Sequence, residues 1–153
     1  MPGLEDFVRR QTEIIQRVGW AVMHILPTED DADTVAPYSY TVGLTARIAP
    51  EFVITGLHPD TAQHLLNEIA GRVHHGAGTI AHNTRVADLI AGFDAVIIDG
   101  TPTDQIIPSA AIARYGADQV RLQQVVWPDP NGRLPWEPGY SLGLDSQPLI
   151  GTC

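Results

Sequence analysis

Tyr38-Ser39-Tyr40-Thr41-Val42-Gly43-Leu44, followed shortly by Glu51-Phe52-Val53-Ile54-Thr55-Gly56-Leu57, reads as two strands in succession with no helix between them. Both segments are rich in β-branched and aromatic residues, which suit a pleated, half-buried surface. The period-two alternation of a strand puts Tyr38 and Tyr40 on one side of the first, and Ser39 and Thr41 on the other. Gly43 allows a bulge or a close backbone approach. The second strand starts directly after Pro50, which lacks an N–H and restricts Ala49. A doubly wound parallel sheet needs strands and helices to alternate regularly, and this stretch breaks that alternation.

Upstream, residues 4–18 read as an amphipathic helix. Leu4, Phe7, Val8, Ile14, Ile15 and Val18 fall near one face, leaving Arg9, Arg10, Glu13 and Arg17 for solvent. Gly19 is a natural stop, and Trp20 to Leu26 reads as a strand closed by Pro27. The connection Thr28 to Ala36 carries Glu29, Asp30, Asp31 and Asp33 but lacks the alternation and central glycine of a calcium loop, so it reads as solvated surface. Downstream, Pro59 opens a helix with Ala62, Leu65, Leu66, Ile69, Ala70 and Val73 on one face, ended by Gly76 and Gly78. Strands are predicted at Thr84–Leu89, Ala95–Asp99 and Leu122–Trp127, with a short helix over Pro108–Tyr115. The pattern predicts one α+β domain over residues 1–153. Its mainly antiparallel or mixed sheet has five to six strands, and two to three helices cover one face.

Composition narrows the functional classes. A chain of 153 residues with 44% hydrophobic and 18% charged residues can bury a core and reads as soluble and globular. It has no apolar run of membrane-spanning length and no basic-then-apolar leader, so the expected location is cytoplasmic, with no membrane partner. Cys153 is the one cysteine. It can form no intrachain disulfide, which fits a reducing compartment, and as the last residue it makes a poor nucleophile. The net charge is −9, and all nine basic residues are scattered arginines. A nucleic-acid surface needs clustered cations, so no nucleic-acid partner is expected; an acidic surface suits a basic protein instead.

The chemical motifs are sparse. His74 and His75 diverge on a helix, and His64 lies roughly 16 Å along the axis from His75, too far for one ion. No metal site and no cofactor are therefore expected. There is no Gly-x-Ser-x-Gly elbow, and the glycines at 71, 76 and 78 follow a helix instead of opening one, so no phosphate loop is present.

The run from Trp127 to Tyr140 concentrates two tryptophans and four prolines around the turn Asp129-Pro130-Asn131-Gly132. Trp127 and Trp136 flank this turn and are expected to face each other across a hairpin. Arg133 is set to pair with Glu137 or to grip a carboxylate or phosphate. Tyr38 and Tyr40 offer two hydroxyls and flat faces to a ligand, or pack beneath a helix. Glu51 abuts an apolar strand, where desolvation raises a carboxyl pKa. The candidate site is thus a pocket between the Tyr38–Tyr40 strand and the Trp127–Trp136 turn. Tyr38, Tyr40, Trp127, Arg133 and Trp136 would bind a ligand there, with Glu51 or Asp129 as general base.

Several motifs occur together in order: Gly19-Trp20, Tyr40-Thr41-Val42-Gly43-Leu44, Pro50-Glu51, Gly56-Leu57, Leu66-Asn67, Gln124-Val125-Val126-Trp127-Pro128-Asp129 and Gly132-Arg133-Leu134-Pro135-Trp136-Glu137. Over about residues 16 to 140 the chain resembles the domain-of-unknown-function family 4262 of bacterial and phage proteins. The resemblance implies one intact intracellular domain and brings no activity, cofactor or catalytic set with it. Two functional expectations follow. The first is a protein-binding or regulatory accessory module, in keeping with the compact size, the acidic balance and the missing catalytic signature. The second is a small-molecule site of hydrolase or transferase type in the pocket just described.

Overall fold

The computed structural model describes residues 2–32 and 35–152, so Asp33 of the acidic connection and Cys153 lie outside the described residues. Helix α1 (Pro2–Val18) leads into strands β1 (Ala21–Ile25), β2 (Tyr38–Val42) and β3 (Glu51–Thr55). Helix α2 (Pro59–Arg72) follows, then β4 (Thr84–Ile90), β5 (Phe93–Gly100), helix α3 (Ser109–Tyr115) and β6 (Leu122–Val126). The strands form one mixed sheet in the order β1-β2-β3-β6-β5-β4. Every pairing is antiparallel except the central one, where β3 runs parallel to β6 with Glu51 opposite Leu122. The molecule is an α+β fold with six strands and three α-helices among the described residues.

β3 and β6 are buried at every position, because both faces of the sheet are covered there. Phe52 and Ile54 point to one face, where they pack with Leu65, Leu66, Ile69 and Ala70 of α2 and with Ile97 and Val125. Val53 points to the other, into a cluster with Tyr40, Val42, Leu122 and Ala111 of α3. Further along that second face, Val96, Ile98 and Val126 are covered by Leu134, Trp136 and Leu149 of the C-terminal segment. The expectation of helices on one face only is therefore corrected. Near-continuous apolar runs such as Phe52-Val53-Ile54 need cover on both sides, and α3 with the C-terminal segment supplies the second layer.

Buried amides lock that segment to the sheet. Gln124 Nε2 donates to the Pro148 carbonyl, and Gln124 Oε1 accepts from the Ile150 N–H, both at 2.9 Å. Gln147 treats Trp127 as a neighbouring strand would: its Oε1 accepts from Trp127 N at 2.9 Å and its Nε2 donates to Trp127 O at 2.8 Å. An unpaired buried peptide group costs about 1–3 kcal/mol, so these side chains replace a missing ladder.

α1 runs back along β1, the strand at one end of the sheet. Gln11 Nε2 reaches Met23 Sδ at 3.4 Å, and Ile15 packs into the α3-side cluster. Arg114 of α3 ties the helix down, donating from Nε to Gln11 Oε1 at 3.0 Å and from Nη2 to Thr12 Oγ1 at 2.9 Å. The reversal into β1 passes through Gly19 at φ 109°, where a Cβ would overlap the His74 ring, so only glycine fits. Among the described residues no helix is long and apolar enough to cross a membrane.

Candidate functional site

Each residue singled out in the sequence has a definite place. Tyr38 and Tyr40 do share a face, with ring centroids 6.2 Å apart, and turn toward α3. Tyr38 Oη donates to the Ile107 carbonyl at 3.1 Å, and Tyr40 Oη accepts from the Ala110 N–H at 2.9 Å. Burial raises the Tyr40 phenol above its ordinary value, and the Ala110 hydrogen bond offsets part of that rise. Both hydroxyls are spent on positioning α3 and its approach.

Trp127 and Trp136 do not face each other. β6 ends at Val126, and Pro128 and Pro130 prevent the ladder from continuing. Trp127 packs on the α2 side, with its Nε1 donating to the Thr55 carbonyl at 2.8 Å. Trp136 packs on the opposite face, over Val96 and Val126. Since Tyr40 also lies opposite Trp127, the residues expected to line one pocket are distributed over both faces of the sheet.

Arg133 and Glu137 do not pair either, because each serves the backbone of the turn. Arg133 Nη1 donates to the Pro138 carbonyl at 2.8 Å, and Glu137 Oε1 accepts from Leu134 N at 2.7 Å. Asp129, 1% exposed, organises the same loop. Its carboxylate accepts from Asn131 N and Arg133 N at 2.9 Å, from Ser141 N at 2.8 Å and from Ser141 Oγ at 2.9 Å. Desolvation alone would raise this carboxyl; the four donors outweigh it and bring the pKa down to about 2. A group so acidic takes up no proton near neutrality and makes a poor general base.

Glu51 is fully buried. Its carboxylate faces the 3-10 turn Leu44–Arg47 and accepts from Thr41 Oγ1 and Thr45 N at 2.8 Å, Gly43 N and Leu44 N at 3.2 Å, and Thr45 Oγ1 at 2.5 Å. Burial pushes its pKa up, as the sequence suggested, while these donors pull in the other direction. It acts as an internal cap for the β2–β3 connection.

A cleft of about 440 Å³ does exist, away from the Tyr38–Tyr40 strand and the Trp127–Trp136 turn that were expected to form one. It opens between α1 and α2 across β1, with Phe7, Ile14, Val18, Trp20 and Met23 as apolar walls and Arg10, Gln63 and Asn67 as polar groups. Trp20 Nε1 donates to Asn67 Oδ1 at 2.9 Å, and His24 hydrogen-bonds Ser39 Oγ at 2.6 Å and Gln63 Oε1 at 2.9 Å, which fixes the far wall. Among the described residues the outer edge of β1 has no strand partner.

The apolar stripe of α1 is only half covered. Of the ten large apolar side chains that stay exposed among the described residues, seven belong to this α1–β1 hairpin: Leu4, Phe7, Val8, Ile14, Val18, Ile25 and Leu26. The stripe itself was legible in the sequence; its incomplete cover was not, because periodicity does not show what a face packs against.

No group of three or more His, Cys, Asp or Glu side chains that could hold an ion occurs among the described residues. The nearest approach to a histidine cluster is His74 beside His75, ring centroids 5.0 Å apart, with Trp20 edge-on to His74. Desolvation first, then the Arg47 charge and His75, lowers the His74 pKa.

No curated protein and no solved structure matches the chain. The family described as "Domain of unknown function (DUF4262)" matches residues 14–141, which takes in all six strands and all of α2 and α3. The chain belongs to that family.

Proposed function

We propose that this protein is a cytoplasmic protein-binding accessory module whose binding surface is the α1–β1 hairpin with its adjoining cleft. One observation carries the reading: seven of the ten exposed large apolar side chains among the described residues lie on α1 and at the end of β1, and three of them, Phe7, Ile14 and Val18, line a cleft of about 440 Å³. A clustered apolar patch with a polar rim is what a protein-interaction site requires, and a helix flanked by a groove accepts a partner's apolar side chains. The two acids first considered for catalysis favour binding over chemistry, since Glu51 and Asp129 have their carboxylates occupied by donors of their own loops.

A photocrosslinking amino acid placed at Phe7 and expressed in living cells tests this. The expected product is a covalent polypeptide adduct from position 7 and none from the same label at Asp94, in the β4–β5 hairpin at the other end of the sheet. Failure to trap any polypeptide at position 7 would sink the reading.

A further inference from the structure

Resting on that surface, we infer that its occupant is α1 of a second copy of this chain, packed antiparallel about a two-fold axis that passes close to Gln11. The charge order along the helix carries the inference. On one flank of α1, of which Arg10 lines the cleft, sign alternates turn by turn: Asp6, Arg10, Glu13, Arg17. An antiparallel copy of the same helix reverses that order. Asp6 then meets the partner copy's position 17, an arginine, and Arg10 meets position 13, a glutamate, and the symmetry makes each contact twice. Both facing pairs are of opposite sign; Asp6 also pairs with Arg9 of its own helix at 2.6 Å, so the contact of Arg10 with the partner copy's position 13 carries most of the complementarity.

The apolar side chains centre within one residue of the charged ones, between residues 10 and 11 instead of between 11 and 12. Phe7 and Ile14 sit seven residues apart on the cleft side, so an antiparallel partner brings its own Ile14 over Phe7 and its own Phe7 over Ile14. Gln11 contacts Met23 at the middle of β1, so the axis that centres the helices also centres the unpartnered strand edge. The opposite edge strand looks different. β4 is broken by a register shift between Val86 and Ile90, carries Asp88 at φ 64° and displays Arg85, which are devices that blunt a sheet edge. β1 pairs without interruption along β2 and bears no Asp, Glu or Arg, so nothing on it repels a copy of itself.

Sedimentation equilibrium of the full chain, with Arg10→Glu, Glu13→Arg and the double variant, decides the matter. The wild type should sediment at twice its 16.6 kDa in the micromolar range. Each single reversal should raise the dimer Kd by roughly tenfold or more, and the double variant should restore it, because the exchanged charges again face their opposites. Far-UV circular dichroism checks that folding is unchanged at these exposed positions. A monomer at every concentration, or a dimer indifferent to the single reversals, overturns the inference. Either result leaves the protein-binding reading open, since the Phe7 crosslink can still trap a different polypeptide.

Discussion

Glu51 shows how far a single residue can be read in sequence. Its neighbours Pro50 and Phe52 mark it as an acid entering an apolar strand, and it is indeed buried. The donors that surround it come from the backbone of Gly43 to Thr45, and a list of residue types does not reveal where a loop aims its N–H groups. Replacing Glu51 by Gln turns an all-acceptor group into one that presents an NH₂ to those donors. The expected loss is about 2–3 kcal/mol, read from urea unfolding. Were Glu51 a site residue without a structural role, the unfolding midpoint would not move.

Asp129 behaves in the contrary sense. Its folded-state pKa of about 2 lies below the ordinary 3.8, so it contributes stability that is complete above the ordinary value and lost as pH falls through about 2. The Tm difference between the wild type and Asp129→Asn should be largest above about pH 4 and shrink steadily toward pH 2 in thermal melts. A difference independent of pH would assign the loop's order to the prolines instead.

At the scale of elements, the strand starts that a preceding proline sets were legible. β2 begins at Tyr38 and β3 at Glu51 as the sequence indicates, but both end two residues early, since Gly43 and Gly56 take positive φ and turn the chain away from the ladder. The apolar Leu44 and Leu57 that follow prolong the pattern without prolonging the strand. β5 starts at Phe93 and not Ala95, because Gly92 at φ 81° closes a tight hairpin directly onto it.

α1 depends on α3 in a way that no local pattern announces, since Arg114 lies 103 positions from Gln11. Arg114→Ala removes the hydrogen bonds to Gln11, Thr12 and the Val8 carbonyl, and should weaken the docking of α1 by about 1–2 kcal/mol. Hydrogen–deuterium exchange should then accelerate across α1 while α2 keeps its protection. Equal loss in both helices would mean that α1 is integral to the core.

For the whole molecule, fold class was readable from the order of elements, but strand order was not. The expected pocket did not assemble for the same reason: Tyr40 lies on β2 and Trp127 just past the end of β6, two strands separated by β3, and they pack on opposite faces, which nothing within either motif records. Face and neighbour are properties of the assembled sheet. The central β3–β6 pair joins Glu51 to Leu122 across 71 positions. On the emerging chain, β1, β2 and β3 form one ribbon and β4 with β5 another, and no ladder links the two until β6 is present. β6 is the last strand to leave the ribosome and the one on which sheet continuity depends, so a truncated nascent chain holds two unjoined halves, each with a bare edge. Contact order of this kind makes closure a late, slow event in the life of the chain, and residues 122–126 are its timing element.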